Sequence, residues 1–317
     1  MKKILALLLS TMMAATLLTG CGGADDGTYN IGICQLVQHP ALDAATQGFM
    51  DCLTEKLGDK VSFDLQNASG DSATCATIAN QFVSNDVDLI LANATASLQA
   101  SAAATNTIPI LGTSITDYAT ALEIENWSGT TGTNISGTSD LAPLAEQAAM
   151  LNELFPEATN VGLLYCSAEP NSAYQAKVVR AELENLGYTC KDFTFADTND
   201  IATVATNAAS ECDVIYIPTD NTAASATEVI NNVCLPAGVP VIAGEEGICS
   251  GCGVATLSID YYDIGYKAGE MAYEILVNGA DVSTMPVSFA ETTTKKYNKT
   301  NCDTLGITIP ADYVVIE

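Results

Sequence analysis

Positively charged residues are scarce in this sequence of 317 residues. It contains 11 Lys and Arg residues against 38 Asp and Glu residues, and its formal net charge is −27 at pH 7. A chain this acidic repels nucleic acids and anionic lipid surfaces, so we expect no nucleic-acid partner. None of the basic residues falls in the strand-end loops described below. Nucleotides and sugar phosphates are usually held by Arg or Lys, so polyanionic ligands are excluded as well.

Histidine occurs once, as His39, and the common catalytic signatures are missing. One histidine and one closely spaced cysteine pair, Cys249 and Cys252, do not make up the ligand set of a zinc site. No glycine-rich phosphate loop and no Gly-x-Ser-x-Gly turn is present. Glu169 and Asp220 could act as an acid–base pair, but nothing in the sequence directs both at one reacting bond. We therefore predict a protein that is not an enzyme and uses no metal or cofactor.

Long apolar runs are also missing, apart from residues 4–18. This run follows Lys2 and Lys3 and ends in small residues, the pattern of a secretory signal. The sequence Leu-Thr-Gly-Cys at 18–21 resembles the lipobox of bacterial lipoproteins, in which the cysteine becomes the lipidated first residue. We expect a signal peptide at 1–20, a lipid on Cys21 and a flexible tether at 21–28. An ordinary signal peptide with an incidental cysteine is the alternative.

Ten cysteines remain when Cys21 is set aside. An even number outside the cell is compatible with disulfides. Most of the ten, however, lie inside apolar strand or helix patterns, where a free cysteine acts as a small hydrophobic residue. The pattern favours free thiols in the core and leaves disulfides as the alternative.

The rest of the chain alternates between apolar runs and helical patterns. The alternation is interrupted at 127–140, which is rich in Gly, Thr, Ser and Asn, and then starts again. Repeated strand–helix units predict parallel, doubly wound sheets. We therefore predict an α/β protein with two doubly wound parallel-sheet lobes. The predicted strands are 29–36, 61–66, 87–92, 109–112, 160–165, 189–195, 214–218, 240–244 and 253–259.

Five loops follow predicted strands and carry most of the polar residues of interest. Open α/β sheets bind ligands at the carboxyl ends of their strands. We therefore expect these loops to face one another across a cleft and to hold a small molecule. The loops are 35–43, 92–95, 112–117, 165–172 and 218–221.

Several of these loops, taken in order and spacing, resemble a known family. The matching segments are 38–43, 67–71, 165–172, 218–221 and 259–262, with a partial match at 298 and 305–310. The chain is similar to the extracytoplasmic substrate-binding lipoproteins of bacterial ABC transporters, which have the type I periplasmic-binding-protein fold. Within them it resembles the branch linked to aromatic amino acids. One departure is Tyr118, because the family usually has proline after the Thr-Asp pair at 116–117.

The resemblance implies a monomer whose two lobes are joined by three chain crossings, a hinge that opens and closes. Lobe one would comprise 29–135 and 260–286, and lobe two 136–259 and 287–317. The implied function is to capture a small molecule, with an aromatic amino acid as the first choice, and to deliver it to an ABC permease from a lipid anchor on the cell membrane. A branched-chain amino acid, a nucleoside or a sugar as ligand, or a role as a sensory receptor, are the alternatives.

An α-amino acid ligand defines roles for the loop residues. Its carboxylate can bind at a helix start, which carries partial positive charge, with hydroxyl groups from Thr95 and Thr116. Its ammonium needs an anionic partner, for which Asp220 is the first choice and Glu169 and Asp117 are alternates. Side chains that precede helices can instead be N-caps, which applies to Asp220, Asn171 and Ser172. The candidate ligand-binding residues are His39, Leu42, Asn67, Thr95, Thr116, Asp117, Asn134, Tyr165, Glu169, Asn171, Ser172, Asp220, Asn221 and Tyr261.

Overall fold

A computed structural model describes residues 27–316 and shows two α/β lobes, each built around one sheet. The predicted signal peptide, Cys21 and most of the tether lie outside the described residues. No helix within 27–316 is both long enough and apolar enough to cross a membrane. The first elements are β1 (Tyr29–Gln35), α1 (Pro40–Leu57), β2 (Val61–Asn67), α2 (Ser72–Ser84), β3 (Leu89–Asn93), α3 (Thr95–Ala104), β4 (Ile110–Ile115), α4 (Tyr118–Ala121) and β5 (Ile135–Ser139).

The chain then forms the second lobe and returns to each lobe once. The second-lobe elements are α5 (Leu144–Leu154), β6 (Asn160–Cys166), α6 (Pro170–Asn185), β7 (Thr189–Phe195), α7 (Ile201–Glu211), β8 (Val214–Ile217), α8 (Asn221–Ala224), α9 (Thr227–Ala237), β9 (Val241–Ala243), α10 (Glu246–Cys252) and β10 (Ala255–Ser258). The last elements are α11 (Tyr261–Leu276), β11 (Ser288–Phe289), β12 (Thr294–Tyr297), α12 (Lys299–Leu305) and β13 (Val314–Val315).

Both sheets are built mainly from parallel strands. The first has the order β11-β5-β4-β3-β1-β2, and all of its neighbouring strands are parallel. The second has the order β13-β12-β10-β9-β8-β6-β7, and only the pairing of β10 with β12 is antiparallel. The predicted α/β class with two parallel-sheet lobes is confirmed.

Each sheet is covered by helices on both faces, which explains why its central strands, such as β3, β4, β8 and β9, are buried throughout. All five residues of β3 are buried. Since side chains alternate along a strand, Ile90 packs on one face with Phe82 of α2. Leu91 packs on the other face with Phe49 of α1. All ten cysteines within the described range are free thiols, and nine of them are buried, as expected for core residues.

Helix α11 returns to lobe one and packs closely against α1. A Cβ atom placed on Gly265 would lie 1.9 Å from the carbonyl oxygen of Ala45, and one on Gly48 would lie 2.2 Å from that of Tyr262. The two backbones can approach this closely only because both positions are glycine. This contact holds the first turn of α11 at the junction of the lobes.

Two of the predicted lobe boundaries, after 135 and after 286, need correction. Strand β5 pairs with β4, and β11 pairs with β5, so residues 136–139 and 288–289 belong to the first sheet. The small residues of β5 resemble a linker in sequence, yet they serve close strand packing. A Cβ atom on Gly137 would lie 2.0 Å from the carbonyl oxygen of Gly112, its partner in β4. The chain therefore crosses between the sheets after β5, after β10 and after β11.

Candidate ligand-binding cleft

The carboxyl-end loops of the two sheets face each other and touch. Nε2 of His39, in the loop before α1, lies 3.2 Å from Oδ1 of Asn221 at the start of α8. Both side chains are buried, although they belong to different lobes. Because the amide oxygen can only accept, Nε2 donates, and Nδ1 is left as an acceptor without a hydrogen-bond partner. Burial lowers the pKa of His39, against the opposing effects of Asn221, Glu169 and Asp43, so the ring is neutral here.

Helix α3 presents its positive end to the cleft. Its N-cap position is Ala94, which has no side chain able to satisfy the first free N–H groups. Ala94 has φ of 86° and ψ of 158°, a conformation that is costly for any residue except glycine. The next residue, Thr95, is buried. Free backbone donors, a helix dipole and a nearby hydroxyl together make a suitable place for a carboxylate.

Asn93 holds this helix start against α1. Its Nδ2 donates to the carbonyl oxygen of Leu42 at 2.8 Å and to Oγ1 of Thr46 at 2.9 Å. Its Oδ1 is buried and has no partner. Ser114, at the end of the adjacent strand β4, also has a buried hydroxyl without a partner and a positive φ of 56°. The carboxyl ends of β3 and β4 thus combine strained backbone with unpaired polar atoms.

Asp140 follows β5 at the first crossing between the lobes and is 3% exposed. Its Oδ2 accepts a hydrogen bond from the Tyr261 hydroxyl at 2.9 Å, and its Oδ1 is buried without a partner. Burial raises the pKa of Asp140, and the hydrogen bond from Tyr261 and the nearby hydroxyl group of Thr116 oppose that rise. Two predicted residues, Thr116 and Tyr261, are therefore brought together by a third that was not predicted. The available signal was that Asp140 also ends a strand, but its small-residue surroundings suggested a linker.

The sequence named Glu169 as an alternate partner for the ligand ammonium group, but its carboxylate has a different role in the structure. It stands before α6, yet its carboxylate accepts hydrogen bonds from the start of α8, from both the backbone and the side chains of Asn221 and Thr222. It also accepts one from Nδ2 of Asn171 at 3.1 Å. Five donors fill its oxygens. Glu169 thereby joins the two loops of lobe two that face the cleft.

Asp220 is a helix cap, which was the alternative to its predicted role as the ammonium partner. Its Oδ1 accepts from the backbone N–H of Ala223 at 2.8 Å and its Oδ2 from that of Cys166 at 2.7 Å. It is 1% exposed, and burial, followed by the nearby charge of Glu169, raises the pKa of its carboxyl group. Both oxygens are occupied by lobe two itself. The geometry does not support Asp220 as the first choice for the ammonium group.

Asn171 and Ser172 lie in the first turn of α6 and are buried. Nδ2 of Asn171 donates to the carbonyl oxygen of Thr219 at 3.2 Å, whereas its Oδ1 has no partner. Asn171 therefore keeps one acceptor available in lobe two, as His39 does in lobe one.

Three predicted residues lie away from this group. Asn134 stands at the amino end of β5, where its Nδ2 donates to the carbonyl oxygen of Ile108 at 2.7 Å. In a parallel sheet that is the edge opposite the cleft, so this prediction is wrong. Tyr165 packs into the lobe-two core behind the cleft strands. Asn67 is exposed, and its Oδ1 accepts from the backbone N–H of Ser69 at 2.7 Å, as in a turn.

Asp117 and Leu42 support the cleft from its rim and its wall. Asp117 caps the short helix α4 by accepting from the backbone N–H of Thr120 at 2.7 Å. Leu42 is buried in the lobe-one core together with Leu36. Neither arrangement shows direct use of these side chains for a ligand.

A cavity of about 260 Å³ lies between the lobes. Lobe one lines it with Leu36, Val37 and Ala96, and lobe two contributes Ala168 and Glu169 among others. Its volume is just below the range of about 300–1,000 Å³ typical of sites for drug-sized molecules, so it suits a small ligand. Its walls are part apolar and part polar.

Glu245 is a buried acidic residue at the start of α10. Its carboxylate accepts from the backbone N–H groups of Gly247 and Ile248 at 2.6 and 2.5 Å, and so caps α10. Burial raises the pKa of Glu245 to about 7. Among the described residues, no Lys, Arg or His forms an ion pair with any of the four buried acids Asp140, Glu169, Asp220 and Glu245.

This chain is similar in sequence to a family of known proteins. The family described as ABC transporter substrate binding protein matches residues 30–316. A tyrosine-binding protein of Clostridioides difficile (strain R20291) is 35% identical over 308 residues, which cover 92% of this chain and 89% of that protein.

Two solved structures are similar in sequence and differ in state. A Streptococcus pneumoniae ABC domain in complex with L-Trp is 33% identical with a TM-score of 0.86, covering 91% of this chain and all of that one. The ligand-free, open structure of an adhesive substrate-binding protein from Clostridium difficile is 34% identical with a TM-score of 0.70, covering 92% and 99%. At nearly equal identity, the structure described here is therefore more similar overall to the L-Trp complex than to the open, ligand-free structure.

These matches confirm the predicted relationship and the type I periplasmic-binding-protein fold. Proteins of this family are extracytoplasmic. The chain therefore belongs to the family of ABC transporter substrate-binding proteins.

Proposed function

We propose that this protein binds an aromatic amino acid between its lobes, without chemical conversion, and presents it to an ABC permease. The main support is the chemistry of the cleft. The uncapped start of α3 complements a carboxylate, and the negative charge of the buried acids, which have no basic partner among the described residues, favours a cationic group nearby. An α-amino acid carries both groups on one carbon. The relatives named for tyrosine and bound to L-Trp favour an aromatic side chain.

The binding residues that we propose come from both lobes. Thr95 and Thr116 assist the carboxylate site in lobe one, and Asn171 and Ser172 complete the polar contacts in lobe two. His39 and Asn221 close the cleft from opposite sides. Because the closed form alone brings both sets together, a ligand that bridges them shifts the open–closed equilibrium toward closure.

We further propose that the mature protein begins at Cys21, is held at the cell membrane by a lipid on that residue, and acts as a monomer. The support is the Leu-Thr-Gly-Cys sequence at 18–21 after an apolar run. Incorporation of a labelled fatty acid by wild-type protein, and its loss in Cys21→Ser, is the expected result. Labelling of the Ser variant would contradict the proposal.

The ligand is tested by isothermal titration calorimetry of the chain from residue 28 on, freed of bound ligand by unfolding and refolding. The panel contains L-tryptophan, L-tyrosine, L-phenylalanine, L-leucine, a nucleoside and a sugar. We expect saturable binding of an aromatic amino acid with a Kd between micromolar and nanomolar, about −8 to −12 kcal/mol. Binding of only the nucleoside or the sugar would refute the proposed ligand.

A matched pair of threonine variants tests the location of the site. Thr116→Val removes a buried hydroxyl beside Asp140, and we expect it to weaken binding. Thr107→Val changes an exposed threonine at the opposite edge of the same sheet, before β4, and we expect no change in affinity. Equal effects of both variants would place the ligand elsewhere.

A further inference from the structure

Asp140 differs from the other buried acids because one of its carboxylate oxygens has no hydrogen-bond partner among the described residues. Glu169 accepts from five donors, Asp220 from two backbone N–H groups, and Glu245 from two more. Asp140 is equally buried, but its Oδ1 has no partner among the described residues. A buried carboxylate oxygen without a donor is costly, and a cationic group supplied from outside the chain removes that cost.

Asp140 also stands where both lobes meet. It follows β5 in the first crossing, beside Thr116 at the end of β4. The Tyr261 hydroxyl that donates to its Oδ2 belongs to the first turn of α11, just after the second crossing. The Tyr261 hydroxyl also lies near the side chain of Thr219 in lobe two. A ligand group held by Asp140 therefore contacts a network that continues through Tyr261 into the second lobe.

The charge distribution favours an ammonium group at this position. No Lys, Arg or His in the described part of the chain pairs with Asp140, and Glu245 is close enough for the two charges to affect each other. A cation next to Asp140 would offset both negative charges. An anionic or neutral group would leave them uncompensated.

We propose, on the basis of the proposed function, that Oδ1 of Asp140 binds the ammonium group of the amino-acid ligand. Tyr261 orients the Asp140 carboxylate for this contact. The carboxylate of the ligand would lie toward the start of α3, in the same lobe. The ammonium is then held at the hinge, so recognition of the amino group is coupled directly to closure of the lobes.

The test compares ligands that differ only in the amino group. Binding of L-tryptophan and of indole-3-propionate, which lacks the ammonium, is measured by calorimetry for wild-type protein, Asp140→Asn and Asp220→Asn. Loss of a hydrogen bond to a charged group corresponds to a decrease of about 10- to 150-fold in affinity. We expect that decrease for L-tryptophan with Asp140→Asn and little change for indole-3-propionate, so the preference for the amino acid disappears. Asp220→Asn should weaken both ligands alike and lower the melting temperature.

Each outcome discriminates. If Asp140→Asn weakens both ligands by the same factor, or keeps the wild-type preference, Asp140 is structural and the assignment is wrong while the proposed function stands. If wild-type protein binds no aromatic amino acid, the proposed function fails and the assignment with it. If Asp140→Asn does not fold, wild-type protein is titrated in buffers of different ionisation enthalpy at mildly acidic pH. Greater proton release with L-tryptophan than with indole-3-propionate supports the assignment, and equal release overturns it.

Discussion

The contact between His39 and Asn221 predicts that ligand affinity falls in mild acid. The imidazole is buried when the lobes are closed, because its partner Asn221 belongs to the other lobe. Opening the cleft separates the pair and returns His39 to water, where its pKa is near 6.5. Glu169 and Asp43 face the ring and favour its charged form, but burial outweighs them in the closed state. Closure therefore requires deprotonation whenever the pH lies below the pKa of the open form.

The size of the effect follows from that sign. The closed-state pKa is lowered, so the stability of the closed form is fully present above about pH 6.5 and is lost as the pH falls below it. At about one pH unit below 6.5 the open form is about 90% protonated, and removing that proton costs about 1.4 kcal/mol. Since 1.4 kcal/mol is tenfold in an equilibrium constant, the Kd should rise between about pH 7.5 and pH 5.5, by at most about tenfold.

The assay is calorimetric titration with L-tryptophan across this range, for wild-type protein and for His39→Gln. The glutamine amide can still donate to Oδ1 of Asn221 but does not titrate, so it is the matched control. We expect the Kd of the wild-type protein to rise as the pH falls and the Kd of His39→Gln to stay constant over the same range. A wild-type Kd that stays constant over the range, or the same slope in both proteins, would refute the role given to His39.

Three further outcomes concern stability and are checked by thermal melting. Gly265→Ala drives a Cβ into a carbonyl oxygen of α1, and we expect a loss of at least about 2 kcal/mol from overpacking. Asp220→Ala leaves the buried N–H groups of Cys166 and Ala223 unsatisfied, which should cost about 1–3 kcal/mol each; an unchanged melting temperature would contradict the capping role. The pKa of Glu245 is raised from 4.5 to about 7, so its contribution to stability is present below 4.5 and lost as the pH rises through 7. The melting temperature of the ligand-free protein should therefore fall between about pH 5 and pH 8, and it should fall less in Glu245→Gln.

Asp220 was predicted as the ammonium partner, but the sequence alone does not distinguish it from Asp140. Asp220 and Asp140 each follow a strand and carry the same functional group. Whether a carboxylate is free to meet a ligand depends on which N–H groups surround it. One N–H group bound by Asp220 is that of Ala223, three residues along the chain, but the other is that of Cys166 at the end of β6, and Asp220 and Cys166 meet only in the folded lobe. Spacing along the chain contains no information about that meeting.

The sequence by itself determined the class of the fold, the two lobes and the family. Those depend on local periodicity, on apolar runs buried on both faces of a sheet, and on short segments at constant spacing. Only the tertiary structure decided that β5 belongs to the first sheet and that Asn134 lies at the edge of that sheet opposite the cleft. It also decided that Oδ1 of Asp140 has no hydrogen-bond partner among the described residues. The physical reason is that hydrogen-bond partners and burial are set by residues far apart in the chain, such as Asp140 and Tyr261, which meet only in the folded protein.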